Sequence, residues 1–240
     1  MNALPKPYYK DDFVTIYHGD CREIVPLLGR FDLLLTDPPY GIGFAARPTD
    51  YQRASGMKPS PWDDSAPDVL PLLKSADAQC IWGGNYFGLP VSRGWLAWCK
   101  PDAPPSMGNL ELAWTSEDRN SKHFFWSIAA TNGERLGHPT QKPLALIGWC
   151  LSLWLDAQTV LDPFAGSGTT GRACKDLGRK CTLIEREERY CEIAAKRMRQ
   201  EVLLPFASVA PLKERELFGT PAEPLAHLDK HATRANIHST

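Results

Sequence analysis

The sequence has no CxxC pair, no membrane-length apolar run and no excess of either charge, and each absence excludes a class of protein. Its seven cysteines show no paired spacing, which argues against a disulfide framework and against a zinc site. No apolar run reaches the roughly 18 residues that a membrane helix needs. The polar N-terminus lacks the apolar centre of a signal peptide. These absences predict a protein of the reducing cytoplasm with no metal site and no contact with a membrane.

The balance of charge restricts how the protein could bind nucleic acid. The 240 residues include 27 Lys and Arg against 28 Asp and Glu, so the formal net charge is −1. Because the chain as a whole is not a polycation, any nucleic-acid surface must be a local patch. The length allows one substantial core with a tail and excludes several independent domains.

Strand-like and helix-like segments alternate along the first 200 residues. The continuous apolar run Phe31–Thr36 is typical of a strand buried on both faces of a parallel sheet. Such alternation predicts an α/β fold with a doubly wound, mostly parallel sheet. The other predicted strands are 13–17, 79–82, 95–99, 110–115, 123–128, 159–161 and 181–184. The predicted helices are 21–28, 171–177, 187–203 and one that begins after Pro143.

Acidic residues stand at the ends of four predicted strands. Asp20, Asp37 and Glu185 end or follow three of them, and Asp162 follows a fourth. Open α/β sheets bind their ligands at the carboxyl ends of the strands. The sequence therefore predicts a site at this edge of the sheet.

A glycine-rich turn, DPFAGSGTT at 162–170, joins a predicted strand to a predicted helix. Glycines there let the backbone approach a ligand closely. The turn is not a P-loop, because no Lys-Ser/Thr pair follows its last glycine. Glu185 comes about 20 residues later, a spacing that suits a carboxylate that binds ribose hydroxyls. The turn and the acid predict a nucleoside cofactor; the structural alternative is a tight turn closed by a surface glutamate.

A second motif, DPPY at 37–40, makes a rigid strip after the strand 31–36. The two prolines fix their own φ angles, remove two N–H donors and favour extended geometry before them. Asp37 and the carbonyl of Pro38 could then accept the hydrogens of an exocyclic amine, while Tyr40 stacks on the base. Alternatively, Asp37 caps the end of a strand and Tyr40 packs in the core.

With HPTQKP at 138–143 between them, these motifs resemble the amino-group DNA methyltransferases that use S-adenosylmethionine, in particular their permuted β class. The segments HGD at 18–20, IWGGN at 81–85 and GWLAWCK at 94–100 are similar to further segments of that family. The resemblance covers roughly residues 13 to 200. It implies a circularly permuted, Rossmann-like methyltransferase fold that acts on a flipped-out base of double-stranded DNA.

The resemblance also implies a role for each matching residue. The implied catalytic residues are Asp37, Pro38, Pro39 and Tyr40. The residues implied to bind the cofactor are Asp20 at its adenine end, Glu185 at its ribose, Thr140 and Lys142 at its methionine carboxylate, and Asp162, Phe164, Ala165, Gly166, Ser167 and Gly168 along its length.

The implied reaction is methylation of adenine N6, because related N4-cytosine enzymes often have serine in place of Asp37. N4-cytosine methylation stays open, as do a catalytically silent nucleic-acid-binding module and an NAD enzyme. We expect a single domain over residues 1–204, with a short target-recognition insertion around 101–137, and a tail or docking arm over 205–240. A homodimer and a cognate restriction nuclease are further candidate partners.

Overall fold

The computed structural model describes residues 3–43, 63–105, 107–133 and 141–200, which all fall in one compact unit, Met1–Phe206. Nine strands of these residues form a single sheet, in the spatial order β1-β2-β9-β8-β3-β4-β6-β5-β7. The strands are β1 (Tyr9–Lys10), β2 (Val14–His18), β3 (Phe31–Thr36), β4 (Ala76–Trp82), β5 (Trp95–Cys99), β6 (Leu110–Thr115), β7 (Lys122–Phe125), β8 (Thr159–Asp162) and β9 (Lys180–Glu185).

The strands from β2 to β4 in this order run parallel, whereas β1 and β6 are antiparallel to their neighbours. The α-helices of the described residues are α1 (Cys21–Ile24), α2 (Ile128–Gly133), α3 (Leu144–Ser152), α4 (Thr169–Asp176) and α5 (Glu188–Met198). Short 3-10 helices cover Val25–Leu27, Leu70–Ser75 and Gly84–Tyr86.

Side chains of β3 alternate between two cores, one on each face of the sheet. Leu33 and Leu35 pack with residues of α3, α4 and α5 in one cluster. Leu34 packs with residues of α1 and of the 3-10 helix Leu70–Ser75 in the other. This alternation is the two-residue period of a strand that is covered on both sides. The predicted α/β class with a doubly wound, mostly parallel sheet is confirmed; its circular permutation stays a prediction.

The chain reverses its direction of travel across the sheet between β3 and β8. From β3 the next parallel strand is β4 on one side, and from β8 it is β9 on the other. Such a switch point opens a crevice at the carboxyl ends of the two strands. At the amino ends of β3 and β8, Asp32 connects the two strands. Its Oδ2 accepts the backbone N–H groups of Gln158 and Thr159 at 2.8 and 2.7 Å.

Two predicted elements end earlier than expected. The predicted strand 123–128 stops at Phe125, because Asp102 accepts the backbone N–H groups of Ile128 and Ala129 and so caps the N-terminus of α2. The predicted helix 187–203 ends at Met198. The predicted tail 205–240 lies outside the described residues.

No described helix is long and apolar enough to span a lipid bilayer. Across the same residues, no three His, Cys, Asp or Glu side chains come together as a metal site requires.

Candidate active site

A cleft of about 2170 Å³ opens along the carboxyl ends of the parallel strands. Asp37 and Tyr40, which follow β3, line it together with Gly166 from the turn after β8. Typical small-molecule sites measure roughly 300–1,000 Å³. The cleft therefore has room for two ligands side by side, one at each motif.

A buried carboxylate holds the backbone that follows the two prolines. Asp63 Oδ1 accepts the N–H groups of Tyr40 at 2.8 Å and Gly41 at 2.9 Å. Gly41 adopts a φ of +72°, and a Cβ there would lie 2.5 Å from the nitrogen of Ala66. The strip at 37–40 thus has a fixed direction relative to the sheet.

The Tyr40 ring is packed on a glycine and on a second tyrosine. Gly83 has a φ of +69°, and a Cβ at this position would lie 2.1 Å from Tyr40 Cε1, so only glycine fits. Tyr40 stacks on Tyr86, with ring centroids 5.0 Å apart and planes inclined by 16°. Burial, followed by the charge of Asp37, raises the pKa of Tyr40 well above its usual value. The neutral phenol donates to Asp37 Oδ1 at 2.6 Å.

Lys142 lies between two carboxylates, only 7% exposed. Its Nζ is 2.6 Å from Asp37 Oδ2 and 3.1 Å from Glu111 Oε2, and it donates to Tyr40 OH at 3.1 Å. Burial opposes the charge of Lys142, but Asp37 and Glu111 outweigh it and raise the lysine pKa. Burial likewise opposes the charge of Glu111, but Lys142 and Lys100 lower its pKa to about 2.

Asp162 links the two central strands at the switch point. Its Oδ1 accepts the hydroxyl of Thr36 at 2.7 Å and the backbone N–H of Phe164 at 3.1 Å. Burial raises the pKa of Asp162 to about 6, against hydrogen bonds from Thr170 and Thr36 that lower it. The carboxyl therefore takes up a proton on folding at mildly acidic pH.

This raised pKa predicts a measurable change in stability with pH. The folded state keeps a proton on Asp162 up to about pH 6, whereas the unfolded chain releases it near pH 4, so this group destabilises the fold as pH rises. We expect Asp162→Asn to gain about 2 kcal/mol of unfolding free energy relative to wild type between pH 4.5 and pH 7. Urea denaturation of both proteins at the two pH values measures it. A difference between the proteins that does not grow with pH would contradict the prediction.

The turn after β8 is tied to the end of β9 by Glu185. Oε2 of Glu185 accepts the N–H of Gly166 at 2.8 Å, and Oε1 accepts the N–H of Glu187 at 2.8 Å. Burial is the main reason that the pKa of Glu185 is raised. Gly168, with a φ of +78°, packs so closely on α5 that a Cβ there would lie 2.8 Å from Ala194 Cβ. The turn, the acid and the helix are thus fixed as one unit.

Comparisons with known proteins agree on one family. The sequence model of the family described as DNA methylase matches residues 95–196. The Type II methyltransferase M.HinfI of Haemophilus influenzae is 28% identical to the chain, over 79% of this chain and 70% of that protein. The Type II methyltransferase M2.MboI of Moraxella bovis is 26% identical, over 80% of this chain and 90% of that protein. The chain is therefore similar, over about four fifths of its length, to the amino-group DNA methyltransferases.

Solved structures of DNA methyltransferases show the same fold as this chain. The PvuII DNA methyltransferase, described as cytosine-N4-specific, aligns with a TM-score of 0.57 at 16% identity, over 86% of this chain and 93% of that chain. The complex of M1.HpyAVI with SAM aligns with a TM-score of 0.50 at 22% identity, over 78% of this chain and 100% of that chain. Both likenesses confirm the Rossmann-like methyltransferase fold.

The M1.HpyAVI structure is a complex with SAM, and the chemistry of the cleft in this chain fits the same cofactor. Each carboxylate oxygen of Glu185 accepts one backbone N–H, and a carboxylate has about four acceptor sites, so both can also accept hydroxyl groups of a ribose. The half-buried Phe164 adds an apolar surface to the same cleft. The cavity is large enough for a nucleoside with an amino-acid chain.

The other residues predicted at the cofactor lie in different settings. Asp20 lines the cleft, caps α1 and pairs with Arg22, with its Oδ2 2.5 Å from the guanidinium. Ala165 and Ser167 also line the cleft; the N–H of Ala165 donates to Ile184 O at 3.0 Å. The family resemblance predicts Lys142 at the methionine carboxylate. In the structure its ammonium contacts Asp37, Tyr40 and Glu111. The role of Lys142 at the cofactor stays a prediction. Thr140 lies outside the described residues.

Four residues of the site were not predicted. Glu111 and Lys100 belong to the chain of charges at Lys142, Asp63 holds the backbone of the strip, and Tyr86 stacks on Tyr40. The sequence does contain an indication that Glu111 is functional, because this glutamate interrupts the otherwise apolar strand Leu-Glu-Leu-Ala-Trp. No local pattern marks Asp63.

Proposed function

We propose that this methyltransferase transfers a methyl group from S-adenosylmethionine to the exocyclic N6 amine of adenine in double-stranded DNA. We further propose that it is the modification enzyme of a restriction–modification system, as the names of its relatives M.HinfI and M2.MboI suggest. The observation that carries the proposal is that Asp37 and the glycine turn at Gly166 line one cleft. An aspartate at the first position of the DPPY motif favours adenine over cytosine.

The proposed catalytic group is the Asp37 carboxylate. The lone pair of an exocyclic adenine amine is delocalised into the ring, which makes the amine a poor nucleophile. When Asp37 and the Pro38 carbonyl accept its two hydrogens, the nitrogen becomes pyramidal and its lone pair is localised. Fixed acceptors also stabilise the positive charge that develops on the amine. After transfer, the proton leaves through Asp37 or to water.

Alignment of the two reactants supplies most of the rate in this proposal. S-adenosylmethionine, when bound, supplies an electrophilic methyl group on a sulfonium. Glu185 would hold its ribose, and the turn 162–168 would lie along it. The rigid strip at 37–40, held by Asp63, would fix the direction from which the amine approaches.

The target amine is inaccessible inside a duplex, so the base must flip out, which costs a few kcal/mol. Stacking on Tyr40, worth about 1–3 kcal/mol, would offset part of this cost. Tyr86 already covers one face of the Tyr40 ring, so a base that stacks on this face would do so only after Tyr86 moves.

The assignment of Glu185 to the ribose predicts a specific loss of affinity. We expect Glu185→Ala to raise the dissociation constant of S-adenosylmethionine about tenfold or more, because hydrogen bonds to a charged group contribute about 1.5–3 kcal/mol. Isothermal titration calorimetry measures the change. Glu192→Ala, which removes an exposed glutamate of α5 that does not line the cleft, is a control that should bind as wild type does. An unchanged constant for Glu185→Ala would remove this residue from the ribose site.

Incubation of unmethylated DNA with tritiated S-adenosylmethionine tests the proposed function. Digestion of the labelled DNA to nucleosides, followed by mass spectrometry, identifies the product. We expect N6-methyladenine; N4-methylcytosine would instead assign the protein to the cytosine enzymes. DNA that is bound but not labelled would indicate a catalytically silent module, and protection against heating by NAD would indicate an NAD enzyme.

We also propose that residues 101–137 contribute to selection of the DNA sequence. The cleft is lined here by Asp102, Pro104 and Met107, and β6 and β7 of this segment belong to the main sheet. A cytoplasmic location, a homodimer and a partner nuclease stay predictions.

A further inference from the structure

Four charged side chains form a continuous chain at one wall of the cleft, in which the two lysines are buried and the two carboxylates are about a quarter exposed. In order they are Asp37, Lys142, Glu111 and Lys100. Lys142 and Lys100 are each 7% exposed. The ammonium of Lys142 is shared, since Asp37 is 2.6 Å and Glu111 is 3.1 Å away, and Lys100 pairs with Glu111 on its other side.

Stability alone does not account for Glu111. Buried ion pairs are often no more stabilising than well-packed apolar residues of similar volume, because the charges lose their hydration. β6 is apolar on either side of Glu111, with Leu110 and Leu112, so a leucine or methionine would suit the strand locally. A carboxylate at this position therefore points to a task in the site.

Sharing of the lysine changes the chemistry of Asp37. A carboxylate that is paired with an ammonium of its own has much of its charge neutralised and accepts further hydrogen bonds weakly. A second carboxylate on the same ammonium divides its attraction between two partners, and the ammonium of Lys142, at 7% exposed, has little contact with water that could screen it instead. Glu111 thus leaves Asp37 with more negative charge for a third partner.

We propose that Glu111 is a positioning residue for methyl transfer, which shares Lys142 with Asp37 and so keeps Asp37 a strong acceptor for the target amine. This inference rests on the proposed function, in which Asp37 receives the hydrogens of that amine. Lys100 holds Glu111 in place from the far side. In this proposal Glu111 acts through Lys142 and not through direct contact with a substrate.

The negative charge of Glu111 should also affect how tightly the cofactor binds. S-adenosylmethionine has a positive sulfonium, whereas its product, S-adenosylhomocysteine, has a neutral thioether. Removal of the Glu111 charge makes this wall of the cleft more positive by one unit. The substitution should therefore weaken binding of the cation more than binding of the thioether, which a general loss of structure would not do.

The test is Glu111→Gln, which removes the charge and keeps the shape. We expect the single-turnover rate of transfer, measured per cofactor-loaded site, to fall about tenfold or more. The ratio of the dissociation constants of S-adenosylmethionine and S-adenosylhomocysteine should rise several-fold. Glu111→Asp, which keeps the charge, should leave this ratio at the wild-type value. Glu192→Gln, in an exposed pair with Lys196 on α5, is the matched control.

The outcomes separate this inference from the proposed function. A wild-type rate per loaded site in Glu111→Gln overturns the inference, even if its melting temperature falls. A parallel rise of both dissociation constants also overturns it, because that result describes a structural role only. If the wild-type protein binds the cofactor and labels no DNA, the proposed function fails instead.

Discussion

Replacement of Asp37 by alanine is expected to abolish methyl transfer while binding of S-adenosylmethionine stays largely intact, with at most the several-fold loss that one negative charge fewer in the cleft brings. The carboxylate is the acceptor that activates the target amine in the proposed reaction, and the contacts of the glycine turn with Glu185 do not involve it. Loss of one preorganised group of this kind lowers a catalytic rate by about 10²–10³. Tritium transfer at saturating cofactor and DNA measures the rate, and calorimetry measures cofactor binding.

Asp77→Ala is the matched control for this substitution. Asp77 belongs to β4 near its other end and forms an exposed pair with Arg30, with 2.5 Å between the charged atoms. Its loss should leave turnover unchanged. Retained turnover in Asp37→Ala would contradict the catalytic assignment, and a large loss of cofactor affinity would show that Asp37 acts on the cofactor side of the cleft.

Replacement of Lys142 by methionine is expected to lower the stability of the fold. It leaves Asp37 and Glu111 without their shared cation, and breaking a buried ion pair typically costs about 3–5 kcal/mol. Since Lys100 still pairs with Glu111, the lower end of this range applies. Urea denaturation at pH 7 measures the change. Lys196→Met removes an exposed lysine that pairs with Glu192, and should change stability by less than about 1 kcal/mol.

The pH dependence of this loss has a definite sign. The pKa of Glu111 is lowered to about 2 on folding, so the stability that its charge contributes is present above pH 4.5 and is lost as pH falls from 4.5 towards 2. The difference between wild type and Lys142→Met should therefore shrink as the pH falls through this window. A difference that is constant from pH 7 to pH 3 would show that Lys142 stabilises the fold by packing alone.

Much of the fold could be predicted from local pattern. The strands Phe31–Thr36, Trp95–Cys99 and Leu110–Thr115 have the bounds predicted for them, because apolar or β-rich runs end there at turn-forming residues. The strand β1 could not be predicted in this way. Its two residues pair with β2 at the edge of the sheet, and a run so short has no detectable period.

The candidate site was predicted less completely, and the reason is separation along the chain. Asp37 and Gly166 could be placed at one edge of the sheet because acids and glycines mark the ends of parallel strands. Lys142 approaches Asp37 from 105 residues away, and Asp63 reaches Tyr40 across 23 residues. Such pairings arise from tertiary packing, so no periodicity or spacing reveals which carboxylate a buried lysine meets.

Tyr86 covers one face of the Tyr40 ring. It would therefore compete with a flipped base for stacking on that face. In the proposed reaction, a flipped base that stacks on this face of Tyr40 would displace the ring of Tyr86, which is 47% exposed and so has open space on one side. The apparent affinity for DNA is then reduced by the fraction of molecules in which this ring has not moved away. In the proposed reaction, the aromatic pair would therefore disfavour bases that leave the helix only briefly.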